Sequence, residues 1–175
     1  MRNLFARGTG VPAEVQARAA LPRGARVLAS AHALDGTWLL GTRDALVVVP
    51  PSEPVATIPW ERVATADWNQ DEDRLRVIEV AEYGAVPPMH VVAVPEPGLL
   101  LQLVRERVTA SIVLQRRVAV QGRRGVNVIA RRPPQGSGET IWAVELDPGL
   151  APDDPAVRQA AARGLREAQA ELGFL

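Results

Sequence analysis

Between residues 26 and 113 the hydrophobic pattern alternates with period two seven times over, then changes to period 3.6. The seven runs are RVLASAHA (26–33), TWLLGTR (37–43), ALVVV (45–49), VATIP (55–59), VATADWN (63–69), DRLRVIEV (73–80) and MHVVAV (89–94). GLLLQLVRERVTASI (98–112) follows, with Leu100, Leu103, Val104, Val108, Ser111 and Ile112 on one helical stripe and Arg105, Glu106 and Arg107 turned away. Seven short strands closed by an amphipathic helix constrain this part of the chain to an α+β fold. The expected form is a small curved antiparallel sheet or barrel plugged by the helix.

The breaks between the runs carry their own chemistry. Asp35-Gly36 supplies the positive φ of a tight hairpin. Pro50-Pro51 ends the third strand, because proline cannot donate to a ladder. Asn69-Gln70-Asp71-Glu72 reads as a polar hairpin loop, and Pro95-Glu96-Pro97-Gly98 punctuates the entry into the helix. Before the first strand, Pro12 and the helix formers that follow predict a short helix over 12–20 in an N-terminal arm of residues 1–25.

After residue 113 the pattern changes. Residues 118–120, 125–130 and 140–145 read as three strands, while SIVLQRRVAV fits either the end of the long helix or the start of a strand. Asp154 as N-cap and Pro155 at the first helical position start a last helix, with Val157, Ala161, Leu165, Ala168 and Leu172 at helical spacing. Three strands bury too little to stand alone, so this βββα extension, residues 114–175, needs the first unit (26–113) or another chain as partner.

Composition narrows the function classes. Twenty basic and twenty acidic residues cancel, so no net field draws the 175-residue chain to nucleic acid or anionic lipid. There is no cysteine, which removes disulfides and thiolate chemistry. All twenty basic residues are Arg, which GC-rich codon usage explains more simply than selection for planar anion contacts. No apolar run reaches the length of a membrane span or a signal peptide, so a soluble, cytoplasmic protein is expected.

The segment TWLLGTRDALVVVPPSEPVATIPWERVATADWNQDEDRLRV, with Thr42, Ile58, Trp60 and Val63, resembles the bacterial pleckstrin-homology-like (PH-like) domain in an actinobacterial type. The resemblance covers residues 26–113 and rests on apolar spacing. It implies a seven-stranded antiparallel barrel closed by a helix, presenting an edge or groove to a partner. The family's best-known ligand is a phosphoinositide headgroup, held by basic residues around the first hairpin. Here that hairpin is Ala33-Leu34-Asp35-Gly36, which offers no cluster of cations for a phosphate clamp, so phosphoinositide is not the expected ligand.

Signatures of catalysis are missing. The sequence has no Gly-x-Ser-x-Gly, Walker or dinucleotide-binding motif, and its two histidines, His32 and His90, sit in strands without a third ligand. The acidic tip Asp71-Glu72-Asp73 lacks the spacing of a calcium loop and reads as a solvated turn; Asp67 and Glu79 form a possible carboxylate pair across the same hairpin. No catalytic, metal or cofactor residue is assigned. Gly122-Arg123-Arg124-Gly125 resembles the backbone-gripping loop of KH domains, but strand-like sequence flanks it where that fold has helices.

Two features remain as binding candidates. Arg116, Arg117, Arg123, Arg124, Arg131 and Arg132 cluster within 105–132, a stretch with eight arginines and a single acidic residue. On paired strands they form either an anion-binding patch, for nucleic acid or an anionic surface, or a solvated edge neutralised by the acidic stretches 53–96 and 133–175. Among the tryptophans, Trp60 and Trp142 lie in apolar surroundings and are expected in the core. Trp68, between Asp67 and Asn69, is the candidate partner-binding aromatic. The leading expectation is a non-enzymatic interaction or scaffold module that binds a protein partner or self-associates. Its alternatives are anion binding through the Arg hairpins and an enzyme with an unrecognised site.

Overall fold

The computed structural model describes residues 10–174, so the first nine residues of the expected N-terminal arm lie outside the described residues. The order is α1 (Ala13–Ala19), β1 (Ala29–His32), β2 (Trp38–Gly41), β3 (Ala45–Val49), β4 (Ala56–Pro59), β5 (Val63–Asn69), β6 (Arg74–Glu79), β7 (Met89–Ala93), α2 (Leu99–Ser111), β8 (Ile112–Gln121), β9 (Arg124–Arg131), β10 (Ile141–Leu146) and α3 (Pro155–Glu171). All seven expected strands and the helix after them are present. They do not close into a barrel.

Three antiparallel meanders form instead: β1-β2-β3-β4, β5-β6-β7 and β8-β9-β10. The first two share one apolar core with α2, in which Leu39, Leu46 and Ile58 of the first sheet meet Leu75 and Val77 of the second and Leu100 of the helix. The corners stay open because the strands there are short. Pro59 ends β4, a 3-10 turn over Trp60–Arg62 carries the chain to the other sheet, and the Leu34 N–H reaches the Ala93 carbonyl as a lone bond at 2.9 Å. Within this frame the Trp60 indole donates to the Thr42 carbonyl at 3.1 Å, and the Thr42 hydroxyl accepts from the Ala45 N–H at 3.0 Å.

β3 is buried at all five positions because both faces of its sheet are covered. α1 packs Val15 and Ala19 on Leu40, Val47 and Val49, opposite the face shared with α2. Arg18 of α1 donates to the Pro51 and Glu53 carbonyls (2.9 and 3.0 Å), fixing the loop after β3.

The helical stripe ends sharply at Ser111: Ile112 is already extended, so the ambiguous segment is strand and β8 is ten residues long. α3 starts as read, with the Asp154 carboxylate accepting from the Ala156 N–H at 2.7 Å and Pro155 in the first turn. It lies on one face of the third sheet, with Val157, Ala160, Ala161 and Ala168 against Val118, Val126 and Val128. Gly164 permits that approach, since a Cβ there would stand 2.8 Å from Val118 Cγ2 and 3.0 Å from Val128 Cγ2.

Candidate functional site

Alternation along paired strands scatters the six arginines. Arg116 faces α3, where Glu167 and Glu171 take its guanidinium. Arg117 faces the other side and binds the Asp147 carboxylate and the Arg123 carbonyl, the latter at 2.6 Å. The hydrogen bond from Arg117, then that from the Gly125 N–H, holds the Asp147 carboxyl below its usual range, and the bond to Asp147 raises the pKa of Arg117. Arg123, in the turn between β8 and β9, and Arg124, the first residue of β9, are exposed. Arg132 is half-buried, bonds Thr140 Oγ1 at 2.6 Å and lies 6.0 Å from the Phe174 ring centre. Thus Arg116 and Arg117 are neutralised by acids from the stretch 133–175, and the six do not converge on one surface.

Arg131 is 2 % exposed, although its sequence context looks no different from that of its neighbours. It enters the junction between the first unit and the third sheet. Its Nη1 donates to Ser111 Oγ at 3.0 Å and to the Val108 carbonyl at 3.4 Å, and its Nη2 donates to the Ala64 carbonyl of β5 at 2.9 Å. Burial lowers its pKa. Its position on the strand puts Arg131 on the same face as buried Ile129, so the docked side of β9 includes a cation.

Trp68 sits in a more specific place. It is half-buried at the rim of the first core, and its indole donates to the Val94 carbonyl at 3.3 Å. Together with Ala66 of β5 and Leu75 of β6 it forms one wall and the floor of a groove of about 200 Å³. The opposite wall is α2, through Leu101, Val104 and Val108, with exposed Arg105 and Thr109 at the mouth. β5 is the edge of its sheet: it pairs with β6 on one side, and no strand of the described residues pairs with the other. An open strand edge beside an apolar groove is the geometry that accepts an extended chain, main chain to the edge and side chains to the groove.

The remaining polar candidates have local roles. His32 stacks on Trp38 with ring centres 4.6 Å apart, and His90 Nε2 lies 2.7 Å from Glu79 Oε1. Asp67 is beside Arg76 at 3.5 Å, so the carboxylates of Asp67 and Glu79 do not pair across the hairpin. At the acidic tip, Asn69 Oδ1 accepts from the Asp71 N–H at 2.9 Å, closing a solvated turn. Among the described residues no three His, Asp or Glu side chains lie close enough to share a metal ion. None of the described helices is long and apolar enough to cross a membrane. Comparison with protein-family models, curated proteins and solved structures gave no match.

Proposed function

We propose that this chain is a non-enzymatic, cytoplasmic interaction module of the PH-like kind, which binds an extended segment of a partner protein along β5. The reading is carried by one observation: the unpaired edge of β5 runs beside the groove between Trp68 and α2. Main-chain hydrogen bonds to the edge would supply affinity. An apolar side chain seated between Trp68 and Val108 would supply selectivity, since only alternate residues of an added strand face the groove. The two sheets that share a core with α2 support the PH-like assignment, and the open corners are compatible with a sandwich whose edges remain available.

The test is selection of peptides from a displayed library on the whole protein, followed by amide shift mapping of the enriched sequences. Shifts confined to β5 and α2, lost in Thr109→Arg, are expected. Thr109 is exposed at the groove mouth, so that variant blocks entry without disturbing the core. Enriched peptides that map elsewhere, or that bind Thr109→Arg equally well, would overturn the reading. A second copy of the chain seated on β5 would appear as concentration-dependent shifts without peptide.

A further inference from the structure

The groove beside β5 follows α2, because its helical wall runs from Leu101 to Thr109. Those residues span about 12 Å of helix. The volume of about 200 Å³ exceeds the roughly 150 Å³ that takes up a benzene ring, so the groove seats one apolar side chain of a bound segment. Groove-facing residues of an extended segment recur about every 6.7 Å. An anchor between Trp68 and Val108 therefore leaves length along the helix for one further groove-facing side chain.

That second side chain meets Arg105. Among the described residues Arg105 is the one charged member of the lining; it is exposed and stands on α2 one turn from both Leu101 and Thr109. The acids around it are engaged elsewhere. Glu106, its neighbour on the helix, accepts from the Gln102 amide at 2.8 Å. Asp67 lies between Ala66 and Trp68 on β5, so alternation turns it to the opposite face, where it is 3.5 Å from Arg76. Glu72, at the hairpin tip, is 3.6 Å from Arg74. Arg105 thus differs from Arg116 and Arg117, whose charges are answered by Glu167, Glu171 and Asp147.

A guanidinium at the mouth of an apolar groove, with no acid of its own chain upon it, selects the charge of what enters. A carboxylate matches its planar fork with two parallel bonds. A phosphate dianion calls for more than one cation, and among the described residues no second cation lines the groove. Building on the reading of β5 as a peptide edge, we propose that the groove selects an acidic-apolar segment of the partner protein. The apolar anchor sits between Trp68 and Val108, and an Asp or Glu two residues away pairs with Arg105. At an exposed mouth the ion pair sets selectivity, while the anchor and the main-chain bonds to β5 supply most of the affinity.

The experiment selects displayed random decapeptides on the whole native protein and on Arg105→Glu, then maps an enriched peptide from each by amide shifts. Arg105 is exposed and Glu is as good a helix former, so the variant is expected to fold. On the native chain, Asp or Glu is expected at one position two residues from an apolar anchor, with Lys or Arg replacing it on Arg105→Glu. In the native-selected peptide, exchanging that acid for its amide is expected to weaken binding to the native chain about fivefold at low salt and less than about twofold at high salt. Peptides that map to β5 but show no acidic preference, keep the same preference on Arg105→Glu, or lose nothing on amide exchange overturn the inference and leave the β5 reading standing. Peptides that map away from β5, or no enrichment at all, overturn both. The amide exchange uses the native chain alone, so it decides the matter even where Arg105→Glu fails to fold.

Discussion

Replacing Arg131 with Met separates a structural role from an anion-binding one. The native guanidinium is 2 % exposed and makes three hydrogen bonds, to Ser111 Oγ, the Val108 carbonyl and the Ala64 carbonyl. A bond from a charged donor contributes about 1.5–3 kcal/mol, and an acceptor left unpaired in a buried site costs about 1–3 kcal/mol. Against this, Met removes the cost of burying a charge, which can be several kcal/mol. One lost partner is also offset, because the Ser111 hydroxyl already donates to the Val108 carbonyl at 2.7 Å. With the Ala64 carbonyl left unpaired and the Glu145 carboxylate losing the attraction of a nearby cation, the net loss is about 3 kcal/mol. For a chain of this size that corresponds to a fall in Tm of about 6–12 °C.

Urea and thermal unfolding of Arg131→Met measure it directly. Arg132→Met is the control, since its side chain is half-buried and makes one hydrogen bond, to Thr140. The control is expected to lose about 1 kcal/mol. Arg131→Lys is expected to fall close to Met, because a single ammonium cannot span the acceptors on β5 and at the end of α2 as a planar fork does. A loss below about 1 kcal/mol in Arg131→Met would refute the reasoning. So would a variant of native stability that had lost salt-dependent binding to DNA.

Two further outcomes follow from the third sheet. Gly125→Ala is expected to destabilise by about 2 kcal/mol, read from the urea midpoint. Its Cβ would lie 2.5 Å from the backbone oxygen of Val118, which no side-chain rotation relieves, and an unchanged midpoint would refute this. The pH dependence has two limbs of opposite sign. Asp147 has a lowered pKa in the fold, so its contribution is present above the ordinary Asp range and is lost as pH falls through the lowered value; Asp147→Asn should flatten that acid limb. Glu145 has a raised pKa, so stability falls as pH rises from the ordinary Glu range through the raised value; Glu145→Gln should remove that fall and be the more stable protein at neutral pH. Unfolding midpoints between acid and neutral pH decide both, and a Glu145→Gln protein that tracks the native curve would contradict the second.

The elements legible in the sequence are those whose signals are local. Asp154 and Pro155 marked the start of α3, and the seven alternating runs marked β1 to β7 because period-two patterning requires no knowledge of the partner strand. Closure into a barrel was a different kind of expectation. It depends on whether corner strands extend far enough to be shared, and β1 and β4 are only four residues each. The fate of the arginines was half legible. Alternation splits adjacent pairs between faces, and the acidic stretch 133–175 was available to neutralise them, as Arg116 with Glu167 and Arg117 with Asp147 demonstrate. Which face of the third sheet would dock on the first unit was not encoded locally. Arg131 therefore read as one of six exposed cations, and Glu145 drew no notice.

Docking of the two units relies on directional donors more than on a shared apolar cluster. The first unit and the third sheet keep separate apolar clusters. Between them, among the described residues, run three side-chain fasteners that end on backbone carbonyls: Arg131 on Ala64 and Val108, Gln135 on Arg43 at 3.2 Å, and Tyr83 on Pro152. An apolar interface shrinks until its voids are filled, because every Å² of contact is favourable. A seam pinned by hydrogen bonds of fixed length stops where the bonds are satisfied and leaves the space between pins open. A cleft of about 450 Å³ lies between two of these pins, and Ala64 and Pro152, whose carbonyls receive them, are part of its lining. The same bonds that join the units therefore hold the cavity open, which is why loosening Arg131 should weaken docking of the two units.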